Sequence, residues 1–223
     1  MDLAGKTAIV TGAAGVLGAA VAEECEAQGA QTVLIDLAAG FAGGSGARLE
    51  LDLTDAAAVA EAIAGIGEFD VVCNIAGGFD MGPKVPEITD AHWSALFDIN
   101  VTTLRNMLSA TLPRLVARGR GSVVNVGALG ALQGLASMGA YTAAKSVVMR
   151  LTEAASEEVR GQGVNVNAVL PSLIDTPRNR ADMPNADHSA WVAPRSLAKV
   201  ICFLASDAAA DIHGALVPVR GRV

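Results

Sequence analysis

The chain of 223 residues has a single tyrosine, Tyr141, and aromatic residues make up only 4% of it. Charge is also sparse: Asp, Glu, Lys and Arg together amount to 17%, with a net charge of −7. A chain this short of cations lacks the basic face that neutralises phosphates, which argues against a nucleic-acid partner. The one basic group, Arg114, Arg118 and Arg120, falls where a helix should end. Cations there complement the helix dipole, so a solvated helix terminus is expected. Cysteines number three (Cys25, Cys73 and Cys202) and lie far apart in sequence. With no metal-type spacing and no secretory signal, they read as buried free thiols in a reducing, cytoplasmic setting. The three histidines, His92, His188 and His213, are equally scattered, so no metal site is expected.

The chain is rich in apolar residues, at 52%, with a mean hydropathy of +0.41. That suits a single domain spanning 1–223 in which parallel strands are covered on both faces. Gly121 to Ala144 contains no charged residue, yet it carries Asn125, Gln133, Ser137 and Tyr141. A buried strand, a loop and a helix start are therefore expected there, with no membrane span.

Strand and helix patterns alternate along the chain. Strands are predicted at Thr7–Thr11, Gln31–Asp36, Arg48–Asp52, Asp70–Asn74, Ser122–Val126, Val164–Leu170 and Ala215–Val219. Helices are predicted at Val16–Gln28, Asp55–Ala64, Gly139–Arg160 and Pro194–Ser206. A longer one, capped by Thr89 or Asp90, reaches Arg118 and is bent near Pro113. The glycine-rich connection from Gly40 to Gly46 is too short for a substantial helix. This alternation implies right-handed crossovers and a doubly wound, mainly parallel, seven-stranded α/β sheet with helices on both faces. Ligands on such sheets sit beyond the carboxyl ends of the strands, where the candidate functional residues fall.

Three groups of residues carry chemistry. Thr11-Gly12-Ala-Ala-Gly15-Val16-Leu17-Gly18 joins the first strand to the first helix. Glycine there lets the backbone turn sharply and approach a pyrophosphate, which the helix N-terminus favours. Asp36 ends the second strand, where a carboxylate can accept both hydroxyls of an adenine ribose and repel a 2′-phosphate. No Arg or Lys lies between Asp36 and Arg48 to reverse that preference, so NAD(H) is expected over NADP(H). Tyr141-Thr-Ala-Ala-Lys145 puts a phenol and an amine on one helix face. A free phenol, with pKa near 10, is too weak an acid for efficient proton exchange at neutral pH. A neighbouring ammonium and an oxidised nicotinamide both favour the phenolate.

Together these residues resemble the short-chain dehydrogenase/reductase family, over nearly the whole chain. The resemblance implies a Rossmann-type fold, an NAD(P)-dependent oxidoreductase and a small-molecule substrate. It matches Asn74-Ile75-Ala76-Gly77 to the family's Asn-Asn-Ala-Gly strand end near the adenosine, and Asp52-Leu53 to the pair that meets the adenine; Leu37 flanks the ribose carboxylate. Asn100, within Phe-Asp-Ile-Asn, matches the helix asparagine that holds a proton-relay water. Pro171-Ser-Leu-Ile174-Asp-Thr176 matches the loop that grips the nicotinamide amide. The resemblance also implies assembly as homodimers or homotetramers through the two long helices.

Two positions depart from the family pattern. The middle glycine of the turn sits one place early, so that Val16 stands where a glycine is usual. The family serine, thirteen residues before the tyrosine, is here Ala128, and Ser137 is a poor replacement. Losing a donor to a developing oxyanion costs about 2.7 to 4 kcal/mol. Both departures, together with Ala76-Gly77-Gly78 and the segment Ala168–Trp191, are similar to dihydropteridine reductases, which reduce a quinonoid pterin and need no serine-held oxyanion; Asn100 is foreign to them. A third reading is a cofactor-binding sensor without catalysis. Met183, His188 and Trp191 are expected over the substrate pocket, without an assigned role.

Overall fold

A computed structural model describes all residues except Met1, Ala38, Ala39 and Ala42; the last lies within the Gly40–Gly46 connection, which is outside the described residues at that point. Seven strands form one sheet in the order β3-β2-β1-β4-β5-β6-β7, all parallel. They are β1 (Thr7–Thr11), β2 (Gln31–Asp36), β3 (Ala47–Glu50), β4 (Val71–Asn74), β5 (Gly121–Val126), β6 (Val164–Pro171) and β7 (Leu216–Val219). The order runs outward from β1 in one direction and then returns to its other side with β4. The crevice beyond Thr11 and Asn74, which are register partners, is thus the topological switch point.

The sheet separates two apolar layers. On one face α1 (Val16–Ala27) and α7 (Pro194–Ala205) pack around Val21, Cys25, Leu197 and Ile201. On the other, α2 (Ala56–Gly65), α4 (Thr103–Arg118) and α5 (Gly139–Val159) enclose Ile63, Phe69, Met107, Leu115 and Val148. Central strands are buried on both faces, β4 and β6 along their whole length, and in β6 the buried Asn165 and Asn167 donate to the carbonyls of Ala209, Ala210 and Ile212. The helices begin where side chains can accept orphan amides. Asp55 accepts from Ala57 and Ala58 N–H, and Thr89 accepts from His92 N–H at the start of α3 (Asp90–Phe97).

Three expectations need correction. The predicted single helix to Arg118 is α3 and α4 joined by one π turn, Asp98–Thr102, in which Thr103 N–H reaches back to Asp98 O. Pro113 does lie inside α4, but the departure from α geometry is at Asn100. The arginine group is not merely a solvated helix end. Arg114 donates to the carbonyls of Ile63, Ile66 and Gly67 and stacks 4.8 Å from the Phe69 ring. Arg118 donates to Phe69 O and pairs with Glu68 and Asp70, so both guanidinium groups fasten the loop between α2 and β4. Arg120 alone, 69% exposed, fits the expectation. The cysteines, distant in sequence, are buried as expected but not scattered, since Cys25 and Cys202 bring their sulfurs to 3.5 Å between α1 and α7.

The uncharged stretch forms β5, a short 3₁₀ turn (Leu129–Leu132) and the start of α5, as expected. Among the described residues no helix is long and apolar enough to cross a membrane.

Candidate active site

The turn after β1 explains its glycines by space. Gly12 has φ +64°, and a Cβ there would lie 2.8 Å from Ala76 N. At Gly18 a Cβ would lie 2.1 Å from Gly12 O, so α1 rests directly on the turn. Gly15, the N-cap, has an ordinary φ of −76°, and a Cβ there would stand 3.3 Å from Gly12 O. This is why the middle glycine can shift along the sequence while the outer two cannot. Val16 is 44% exposed at the first helical position and Leu17 is buried. The amides of Ala13, Ala14 and Gly15 are donated to Ile35 O, Asp36 Oδ2 and Gly12 O, so the first-turn amides of α1 are the ones that suit a pyrophosphate.

Three strand ends come together beside this turn. Asp36 Oδ2 accepts the Ala14 N–H at 2.9 Å, tying the carboxylate to the turn itself, with Leu37 62% exposed beside it. Asp52 Oδ1 accepts from both the amide and the hydroxyl of Thr54, and these hydrogen bonds hold its carboxyl below the usual range. Leu53 is buried, and its carbonyl and that of Thr54 take the Asn106 side-chain amide. At the end of β4, Thr11 Oγ1 accepts from Ile75 and Ala76 N–H at 3.0 and 3.1 Å. The loop Pro171–Thr176 is pinned by Ser172 N–H on Val219 O, by the pairing of Ile174 with Val192, and by Thr176, which caps α6 (Pro177–Asp182).

Between these two regions the predicted catalytic residues converge. Lys145 is 6% exposed and donates from Nζ to Val126 O at 2.9 Å. Asn100, at the π turn, accepts Gly78 N–H through Oδ1 and donates through Nδ2 to Gly78 O and Leu96 O. A Cβ on Gly77 would lie 2.9 Å from Asn100 Oδ1 and 3.1 Å from Lys145 Nζ, so glycine is what allows the three to meet. Tyr141 stands one turn before Lys145 on α5, its ring edge-on to Phe79 at 4.9 Å. A cavity of about 10 Å³, room for one water, is bordered by Asn74, Asn100, Asn125 and Lys145. Asn74 Oδ1 is buried there with no hydrogen-bond partner in the protein.

Burial governs both titratable groups. It pushes the Tyr141 phenol up to about 12 and the Lys145 amine down to about 8. The expected lowering of the phenol by its ammonium neighbour is therefore outweighed in the protein alone. The unfolded amine, at about 10.5, binds more protons than the folded one, so this residue's contribution to stability grows as pH rises from about 8 to 10.5. For the phenol the sign is opposite, with stability lost above about 10. Denaturant titrations near pH 7.5 and pH 9.5 test the first statement. Wild type is expected to gain about 2 kcal/mol relative to Lys145→Met across that interval, and a constant difference would contradict it.

Sequence reading missed the polar thread under the site. Asn74 Nδ2 donates to Asn125 Oδ1, Asn125 Nδ2 to Thr152 Oγ1, and Thr152 Oγ1 to Val148 O, all buried. An asparagine inside the apolar run Ser-Val-Val-Asn-Val was the available signal, since a buried amide must find partners. Ala128 is 6% exposed and packs with Ala131 and Met149, with Leu129 and Tyr141 alongside. Trp191 is buried; the His188 ring leans on it at 4.5 Å, tilted by 53°, and its Nε2 lies 2.9 Å from Met183 O. Among the described residues no cluster of three His, Cys, Asp or Glu fits a metal ion.

Comparison with known proteins agrees with this geometry. The chain is 35% identical over 241 aligned positions to cis-4-hydroxycyclohexanecarboxylate dehydrogenase of Sinomonas cyclohexanicum, covering 97% of this chain and 95% of that one. It is 34% identical to sorbitol dehydrogenase of Cereibacter sphaeroides, covering 78% and 73%. Among solved structures, one from Agrobacterium tumefaciens, assigned as a 2-deoxy-d-gluconate 3-dehydrogenase and holding NADP, superposes with a TM-score of 0.90 at 33% identity, covering 99% and 96%. Carveol dehydrogenase from Mycobacterium avium, in complex with NAD, gives 0.87 at 26% identity, covering 98% and 97%. The family model described as short chain dehydrogenase matches residues 6–187. With its parallel seven-stranded sheet, its glycine cradle and its Tyr-x-x-x-Lys helix, this chain belongs to the short-chain dehydrogenase family.

Proposed function

We propose that the chain is an NAD(H)-dependent oxidoreductase acting on a small carbonyl or alcohol, with Tyr141 as general acid and base. The observation that carries this is the meeting of Lys145 Nζ, Asn100 Oδ1 and the glycine backbone at 77, one helical turn from the sole phenol. The Gly12–Gly18 turn would take the pyrophosphate, Asp36 and Leu37 the adenine ribose, and Asp52, Leu53, Asn74, Ala76 and Gly77 the adenosine side. Pro171, Ile174 and Thr176 would hold the nicotinamide amide, and Lys145 the nicotinamide ribose. A bound nicotinamide would supply the hydride chemistry; in alcohol oxidation Tyr141, as phenolate, would take the hydroxyl proton while the carbinol hydrogen leaves as hydride, and a carbonyl remains. In the reverse direction Tyr141 gives that proton to the carbonyl oxygen. Asn100 and the small cavity beside Lys145 provide a water-sized step in the proton path to solvent.

The preference for NAD(H) rests on the Asp36 carboxylate: a 2′-phosphate about 4 Å away would cost about 1 to 4 kcal/mol. Relatives hold either dinucleotide. Asp36→Asn keeps an acceptor for Ala14 N–H while removing the charge, so NADH/NADPH discrimination in kcat/KM is expected to fall at least about fivefold. Unchanged discrimination would remove Asp36 from cofactor choice.

One observation favours a second reading. Ala128 leaves no side-chain donor at the family serine position, which suits a dihydropteridine reductase. NADH consumption with quinonoid dihydropterin, and none with ketones, would select it. Turnover of ketones supports the first reading, and tight NADH binding without turnover on any acceptor would indicate a sensor. We further propose a cytoplasmic homodimer or homotetramer paired through α3–α4 and α5, supported by exposed Trp93 stacked on Phe97 at 4.5 Å.

A further inference from the structure

The loops after β4, β5 and β6 carry an apolar rim. Phe79 is 38% exposed and Met81 63% on the first, Leu132 55% and Leu135 36% on the second, and Leu173 37% on the third. They stand at the carboxyl ends of adjacent strands, where Tyr141 also lies. Exposed apolar side chains gathered at one place mark a surface that gains free energy when covered. Phe79 connects the rim to the candidate chemistry, because its ring meets Tyr141 edge-on.

The Phe79 loop is held at both ends. Gly78 exchanges hydrogen bonds with the Asn100 side chain, and Gly82 N–H donates to Ser137 O at 2.9 Å, fastening the first loop to the second. At Gly82 a Cβ would lie 2.4 Å from His92 Nε2, so the loop lies flat against α3. A ring that is more than one-third exposed yet fixed in place is a preformed contact.

Charge on these loops is scarce or already paired. Residues 127–140 contain no ionisable side chain until Tyr141. On the third loop Arg180 is bidentate to Asp175 at 2.5 and 2.8 Å, and Arg178 faces Asp182 at 3.8 Å. On the first, Asp80 faces His92 at 3.7 Å, and the remaining basic side chains of the three loops are Lys84, which is exposed, and His188, whose Nε2 is held at Met183 O at 2.9 Å. Among the described residues, the cations of these loops are exposed or already paired and Lys145 is buried on Val126 O, so a carboxylate or phosphate on the substrate would meet no built counter-charge there.

We infer that the substrate is an uncharged apolar ring alcohol or its ketone, seated against Phe79, and not a polyol, a sugar acid or an acyl thioester. This rests on the dehydrogenase reading above.

The test uses the full chain with NAD⁺ and an uncharged ring alcohol such as 4-methylcyclohexanol, beside sorbitol and gluconate, and with NADH and acetoacetyl thioester. The ring alcohol is expected to exceed each polar substrate at least about 100-fold in kcat/KM, the reach of a few well-placed apolar contacts. Phe79→Ala is expected to lower kcat/KM for the ring alcohol about 10- to 100-fold, mainly through KM, with NADH affinity unchanged; Phe79→Leu should recover part of the loss. Preference for any polar substrate overturns the inference and leaves the dehydrogenase reading standing. So does a uniform loss of kcat on every substrate in Phe79→Ala, which would make Phe79 a support for Tyr141 alone. Binding of NADH with no turnover in any arm overturns both.

Discussion

Tyr141→Phe is expected to leave NADH affinity within about threefold and to cut turnover by about 10² or more, the usual scale of one general acid. The substitution keeps the ring and its edge contact with Phe79 and removes only the hydroxyl. Because burial lifts the phenol to about 12 in the protein alone, efficient exchange near neutral pH requires positive charge beside it. Lys145 and an oxidised nicotinamide are the two sources. The loss should therefore appear in kcat as well as in kcat/KM, since the missing proton transfer belongs to the transition state and not to ground-state binding. Stopped-flow turnover together with fluorescence titration of NADH separates the two. Unchanged turnover would take the tyrosine out of the mechanism.

The second large effect is expected at Gly18. A Cβ there would lie 2.1 Å from Gly12 O and 2.8 Å from Ala13 Cα, both backbone, so the neighbours cannot yield without moving α1 off the turn. Gly18→Val is expected to cost at least about 3 kcal/mol in denaturant unfolding, at the upper end of overpacking penalties. Any folded fraction should bind NADH at least about 100-fold more weakly, because the amides of the helix N-terminus are displaced. Gly15→Ala is the control: with φ −76° and 3.3 Å to the nearest backbone atom, it is expected to stay within about 1 kcal/mol of wild type. Equal effects at the two positions would contradict the spatial account of the turn.

Much of this was legible in the sequence because one physical rule dominates each feature. The central strands are legible because most of their residues are apolar, as covering on both faces requires. That Tyr141 and Lys145 share one face of α5 follows from helical spacing. What the sequence hides depends on contacts between distant segments. The π turn at Asp98–Thr102 leaves no compositional trace, and the Asn100 side chain it carries bonds Gly78 on another loop, a contact no local pattern displays. Cys25 and Cys202 meet only because α1 and α7 share one face. Arg114 and Arg118 look like helix-end cations until the loop between α2 and β4 is folded over them, where unpaired carbonyls draw the guanidinium groups inward. Asn74, Asn125 and Thr152 stand on three elements, and their partnership needs the sheet register and the packing of α5 to be visible.

The family match fixes the architecture, while the substrate side remains this chain's own. On the proposed reading, Ala128 offers no hydroxyl toward the reacting oxygen, so Tyr141 would carry more of the polar contact there than it would beside a serine. Introducing the hydroxyl at this 6%-exposed position is sterically modest, one oxygen beside Ala131 and Met149.

The central claim is that the one phenol of the chain stands beside the hydride-bearing ring of a bound dinucleotide. A crystal structure of the chain soaked with NADH measures this directly. The nicotinamide C4 is expected about 4 Å from the Tyr141 hydroxyl, the pyrophosphate at the first-turn amides of α1 beside the Gly12–Gly18 turn, and the ribose hydroxyls within hydrogen-bond reach of Lys145. A dinucleotide bound away from the carboxyl ends of β1 and β4, or a Tyr141 hydroxyl turned from it into the interior, would contradict the account.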